Sequence, residues 1–259
     1  VKEYIVTADI ASKRDRYAEC VWRRHIGFVE GNQETKSPTR ILSELQLVWI
    51  KQEENLRYED MRKSFMRLVG RQELHDNCDQ LVDGTGVGDA VIEDLRHDGA
   101  FPISVVFTNG GRAHPVYAEI GQIFGEQRAG ELATMRTVKE WLVPRRDLVA
   151  DGALILEQGR LAVAKELKHR EALEAQLTGF TLNRKKMKYE AESEDLHDDL
   201  VVNFLMAAWW VHYFETEIPE GEFFPHDEVA KEWDPLAQFN MTEEPSQDMP
   251  HQVSVQSWR

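Results

Sequence analysis

The chain has 259 residues, 42% of them hydrophobic and 30% charged, with a formal net charge of −15. Sixteen Gly, nine Pro and two Cys among so many apolar residues exclude collagen-like, disordered and disulfide-stapled classes. The length suits one domain with a large buried core, or such a domain plus a tail, and no apolar run approaches the roughly 18 residues of a membrane span. No signal peptide opens the chain, so a soluble intracellular product is expected. Lone Cys20 and Cys78, without a CxxC pair or a Cys/His cluster, fit a reducing compartment and offer no zinc site. The first residue is Val rather than Met, which suggests a piece excised from a longer protein.

Residues 4–10 (YIVTADI) form a β-branched, apolar run and read as a buried strand. Residues 17–24 and 41–50 read as two more strands, and three strands without an intervening helix imply an antiparallel meander. Tyr58, Met61, Phe65 and Leu68 recur at helical spacing, so 58–69 is an amphipathic helix. A strand over 79–83 runs into the turn Gly84-Thr85-Gly86-Val87-Gly88, followed by a helix from Asp89, a suitable N-cap, to His97. ISVVF at 103–107 is the next strand. The order β-β-β-α-β-α-β implies an α/β fold, a mixed sheet covered by helices.

Residues 110–135 are glycine-rich without a clean period and read as an insertion or long loop. TVKEWLV at 137–143 reads as a strand. A helix from Asp147 to about Gln158 stops at Gly159, another covers 166–177, and 187–191 is a short strand. From His197 onward the run VVNFLMAAWWVHYF is apolar on nearly every side, so this last helix must be buried or packed on a neighbour.

The negative charge is uneven. Phe214 to Arg259 carries 11 Asp/Glu against 2 Lys/Arg and five of the nine prolines, whereas the preceding 213 residues net only −6. The division expected is a body over 1–214 and an acidic tail over 215–259. Proline breaks both ladders and crowded acids repel, so the tail is expected to be extended or partly disordered. Phe223, Phe224, Trp233 and Trp258 also suit it to docking on another protein.

Several chemistries are absent. There is no G-x-x-x-x-G-K-[ST], hence no P-loop nucleotide site, and neither H-E-x-x-H nor G-x-S-x-G occurs. Gly84-x-Gly86 approaches a dinucleotide fingerprint, but the third glycine is missing and Asp83 would meet the pyrophosphate with like charge. What remains is a set of acids at element ends. Asp9 ends the first apolar strand, Asp83 ends another, and Asp198 and Asp199 open the apolar helix directly after His197. A charge in such a place is costly unless it meets a cation, and a convergent carboxylate set suits a hard divalent ion such as Mg²⁺ or Mn²⁺. Each acid alone also has an ordinary structural use, as an N-cap or turn former.

The ordered set D-I-A-S-K-R-D-x-Y-A at 9–18, L-V-D-G-T-G-V-G-D at 81–89, V-P-R-R-D-L-V at 143–149 and L-H-D-D-L-V at 196–201 resembles the nuclease domain of the large terminase subunit of tailed bacteriophages. That resemblance spans roughly residues 3–214 and implies a ribonuclease H-like fold. It implies that two divalent ions are held by Asp9, Asp83 and Asp198 or Asp199, with Asp15 and His197 as outer-site candidates. Asp9 is the natural bridge, and His197 would orient water or protonate the leaving group. The implied activity is two-metal cleavage of concatemeric viral DNA during packaging, in the host cytoplasm. The implied partners are double-stranded DNA, an ATPase motor domain, the small terminase subunit and the portal. Basic clusters for the DNA phosphates are Lys13, Arg14 and Arg16, then Arg145 and Arg146, then Arg184, Lys185, Lys186 and Lys188. Two other readings share the acids: a junction resolvase or transposase core, and a non-catalytic module that docks on a packaging motor.

Overall fold

The computed structural model describes residues 2–10, 16–29, 40–85, 89–183, 188–191 and 198–217. Lys13, Arg14, Asp15, Arg184, Lys185, Lys186 and His197 therefore lie outside the described residues, as does the acidic segment from 218 onward.

The three N-terminal runs form the expected meander, β1 (Tyr4–Asp9), β2 (Arg16–Val29) and β3 (Arg40–Glu54), each antiparallel to the next. Helix α1 (Tyr58–Val69) buries Met61, Phe65 and Leu68 at the expected spacing, while Tyr58 is 38% exposed and off the buried stripe. Strand β4 (Cys78–Asp83) returns parallel to β1, helix α2 (Asp89–Asp98) crosses over, and β5 (Ile103–Thr108) lies parallel to β4.

The stretch 110–135 is not a loop. It contains β6 (His114–Glu119), short helices α3 (Ile120–Phe124) and α4 (Glu126–Ala129), and a 3-10 turn at Gly130–Leu132. Strand β6 pairs antiparallel with β7 (Arg136–Pro144) at the sheet edge. An edge strand needs no apolar alternation and tolerates Pro115, and a register shift between Val116 and Tyr117 breaks what period remains.

Helix α5 (Arg145–Glu157) follows β7 directly, and β8 (Leu161–Val163) adds to β3 in parallel. Helix α6 (Arg170–Gly179) starts later than the expected residue 166, because the chain first turns through His169 at φ 63°. Strands β9 (Phe180–Asn183) and β10 (Lys188–Ala191) make a separate hairpin. The last helix, α7 (Asp199–Glu217), is the expected buried one.

Among the described residues the main sheet has eight strands in the order β6-β7-β5-β4-β1-β2-β3-β8. Its centre is β3-β2-β1-β4-β5 with β1, β4 and β5 parallel, which is the mixed ribonuclease H-like α/β sheet expected from the sequence. Alternate residues of each strand feed two cores. Tyr4, Val6, Ala8 and Val82 pack against α1 and α2, whereas Ile5, Trp22, Leu47 and Leu81 pack against α5 and α7. The α5–α7 contact is close: a Cβ at Gly152 would overlap Leu205 Cδ2 and come within 3.3 Å of Phe204. No helix among the described residues is long and apolar enough to cross a membrane.

Candidate active site

Strand alternation decides where the acids go. Strands β1 and β4 run parallel with Ala8 opposite Val82, so the next residues, Asp9 and Asp83, end neighbouring strands side by side. Since Ala8 and Val82 face α1 and α2, Asp9 and Asp83 share the opposite face, the one covered by α7. Trp210 of α7 donates from Nε1 to Asp79 Oδ2 (2.8 Å) near the start of β4. Helix α7 thus runs back along the sheet, and its N-terminal end lies at the edge where β1 and β4 finish.

That helix start is held in place by polar contacts. The Asp198 carbonyl accepts the Val202 N–H at 2.8 Å, which puts Asp198 at the capping position. Asp199, 5% exposed, accepts Gln52 Nε2 on Oδ2 at 3.1 Å, and its carbonyl accepts Asn203 Nδ2 at 2.8 Å. Asn203 Nδ2 also reaches the Ala18 carbonyl at 3.4 Å. Ala18 pairs with Asp9 on one side and with Gln52 on the other, so Asp83, Asp9, Ala18 and Gln52 lie in one row across four strands. With strands about 4.8 Å apart, Asp199 is anchored to the β2–β3 end of that row. Gln52, Asn203 and Thr85 were not singled out in the sequence. Asn203 alone left a readable signal, as a lone amide inside the run VVNFLM.

Electrostatics tie the other end of the row together. Asp83 is 8% exposed, and burial raises its carboxyl to about 6. The Asp198 charge adds to that rise, while hydrogen bonds from the Thr85 backbone and hydroxyl, and the Arg145 charge, oppose it. Arg145 opens α5 and lays its guanidinium 5.4 Å from the centroid of the Phe107 ring. The sequence-expected basic residues otherwise divide. Arg146 is exposed, pairing with Asp147 at 3.2 Å and donating to the Gly111 carbonyl at 2.8 Å. Arg16 pairs with Glu54, and Lys188 opens β10.

The edge holds one more buried acid, with a different duty. Glu19 lies on the α1 side of the sheet, accepting Tyr17 OH at 2.5 Å and Ser64 Oγ at 2.7 Å. Burial raises its carboxyl, and both lone-pair partners come from the protein, so it is a packing element of the β2–α1 contact.

Among the described residues no three His, Cys, Asp or Glu side chains stand close enough to hold one metal ion together. The structure brings Asp9 beside Asp83 and sets Asp198 within electrostatic reach of Asp83, but it keeps Asp199 against Gln52. Like charges at one edge repel until a cation neutralises them, and the donors present are all carboxylate oxygens, the set that hard divalent ions take.

Comparison with protein-family models and with curated proteins finds no match. Among solved structures, the chain is similar to the large terminase nuclease from thermophilic phage G20c, at 18% identity and a TM-score of 0.45, over 80% of this chain and 81% of that one. It is also similar to the human cytomegalovirus terminase nuclease domain, Mn soaked and inhibitor bound, at 10% identity and a TM-score of 0.41, over 83% of this chain and 86% of that one.

Proposed function

We propose that this chain is a metal-dependent DNA endonuclease of the terminase kind, cutting concatemeric viral DNA during genome packaging. The observation that carries the reading is the pairing of Asp9 and Asp83 at the ends of adjacent parallel strands, facing the Asp198–Asp199 start of α7. The four ordered motifs in which these acids sit support it from the sequence side.

Asp9, Asp83 and Asp198 or Asp199 would hold Mg²⁺ or Mn²⁺, since carboxylate oxygens are the donors such hard ions take. Two such ions would supply charge to activate water and to stabilise the leaving oxygen of a phosphodiester. The protein's own part is to keep these carboxylates charged and oriented. The raised Asp83 carboxyl is a group that a cation would return to its ionised form. Arg145, beside Asp83, is the basic residue best placed to meet a phosphate at the reacting edge, with Arg16, Arg146 and Lys188 further along a DNA track. His197 would orient the attacking water or protonate the leaving oxygen, and Asp15 would serve an outer site. An ATPase motor, a small terminase subunit and a portal are the partners this role requires, in the host cytoplasm.

The test is plasmid nicking with Mn²⁺ or Mg²⁺, with and without excess EDTA, by the wild-type protein and by Asp9→Asn and Asp83→Asn. Metal-dependent nicking lost in both variants supports the reading. Full activity in EDTA, or in either variant, overturns it. Preference for branched over linear duplex would move the chain to the resolvase class.

A further inference from the structure

We propose that Thr85 is a positioning residue for Asp83, holding that carboxylate in the posture a divalent cation needs; this rests on the nuclease reading above. Asp83 is the last residue of β4, so the strand ladder does not fix the chain beyond it. Thr85 closes the turn back on it, with its backbone N–H donating to Asp83 Oδ1 at 2.6 Å. The Thr85 Oγ1 accepts the Phe107 N–H from β5 at 2.8 Å. That bond ties the Thr85 side chain, and the turn with it, to the backbone of β5. The Thr85 N–H orients the carboxylate, and the β5 backbone fixes Thr85.

Gly84 makes the arrangement tight. Its N–H donates to the Val105 carbonyl at 2.9 Å, and a Cβ there would overlap Ser104 Oγ and lie 3.1 Å from Val106 Cγ2. The segment 83–85 is therefore pinned to β5 through Val105 and Phe107. Thr85 thus joins a strand amide, through its hydroxyl, to a buried carboxylate at the reacting edge, through its N–H, which is the position of the outer partners that orient metal-bound carboxylates.

The experiment measures Mn²⁺ binding by calorimetry, alongside Mn²⁺-dependent plasmid nicking across metal concentrations. The proteins compared are wild type, Thr85→Val, Thr85→Ser and Asp83→Asn. Thr85→Val keeps the shape and removes the hydroxyl, and it should weaken Mn²⁺ binding by about 10-fold or more. Nicking should recover towards wild type at saturating metal. Thr85→Ser should bind as wild type does. Where Thr85→Val does not fold, Thr85→Ala carries the same comparison with Thr85→Ser. Folded Thr85→Val or Thr85→Ala with wild-type Mn²⁺ affinity would overturn the assignment while leaving the nuclease reading intact, as would equal losses in Thr85→Ser and Thr85→Val. A wild-type protein that neither binds Mn²⁺ nor nicks DNA would end the nuclease reading, and the role of Thr85 with it.

Discussion

Asp9 and Asp83 stand next to each other because β1 and β4 run parallel in a register that sets Ala8 opposite Val82. No loop conformation is involved, so the pairing is as rigid as the sheet. Replacing Asp9 by Asn keeps the shape and removes the anionic donor. Since loss of an outer partner alone costs about 10–100-fold, loss of a direct donor should lower metal-dependent nicking by at least about 100-fold. The thermal midpoint should stay within about 3 °C of wild type. Wild-type turnover in Asp9→Asn would remove the acid pair from the chemistry.

Asp83→Asn should act on stability as well. The folded carboxyl is raised by burial to about 6, above its ordinary 3.8, so the native state binds the proton more tightly than the unfolded chain. The cost of the buried charge is absent below about pH 4, grows between the two values, and is complete above pH 6. In metal-free protein, Asp83→Asn should therefore be more stable than wild type at pH 8, by roughly 1–3 kcal/mol, with the gap closing by pH 4. Denaturant melts in EDTA at the two pH values measure it, and a gap that widens on acidification contradicts the sign.

The framework of the sheet was legible because buried strands and an all-round apolar helix leave strong patterns: YIVTADI became β1 and VVNFLMAAWW the middle of α7. The edge was not. Strand β6 carries Pro115 and a half-exposed Tyr117 and meets a partner on one side only, so it has no alternation to read. Strands β8 and β9 are too short for a period. Within the site, the acids were visible by their cost at strand ends. Gln52, by contrast, sits among polar neighbours in KQEE, and its contact with Asp199 joins residues distant in sequence. Pairwise tertiary contacts of that kind have no local signature.

A second pH dependence belongs to the other end of α7. Burial raises the Asp151 carboxyl to about 6, opposed by the His212 charge and aided by Asp147 and Glu215. The His212 pKa is raised by its Glu215 hydrogen bond, against burial. For Asp151 the cost of ionisation grows as pH climbs from about 4 to 6. For His212 the favourable charge is present below 6.5 and lost as pH rises through its folded value. Both make stability fall towards alkaline pH. Glu215 works the other way: burial would raise it, but His212, the Ser43 N–H and Arg160 bring it down, so its contribution is lost in acid. Glu215 opposes the decline only in acid, so the combined contribution of these groups falls as pH climbs above about 4 to 5. Asp151→Asn should flatten the decline between about pH 4 and 6 by about 1–2 kcal/mol, and an unchanged slope there would exclude Asp151 as its source.

Gly152→Ala tests the packing of α7. In an exposed helix the change would stabilise by up to about 1 kcal/mol. Here the added methyl meets Leu205 and Phe204, and overpacking costs about 1–3 kcal/mol. The variant should melt below wild type, whereas a rise would mean that α5 and α7 have room to part.

The boundary of the body is the last test. The sequence divides the chain at 214/215, but α7 runs on to Glu217. Glu215 accepts the Ser43 N–H at 2.6 Å and pairs with Arg160 at 2.6 Å, and both partners of that ion pair are buried. Ending the chain at 214 would leave the Arg160 guanidinium buried without its carboxylate, a loss of about 3–5 kcal/mol. Ending it at 217 spares that pair, removes no candidate ligand, and moves the net charge from −15 to −8. Plasmid nicking by the 1–217 chain should stay near wild type, and should rise at low salt as repulsion of the phosphates weakens. The 1–214 chain should unfold at distinctly lower denaturant. Packaging of viral DNA, in turn, should fail with the 1–217 chain if the removed segment docks on a partner. A folded 1–217 chain that no longer nicks DNA would show that the acidic segment completes the reacting edge.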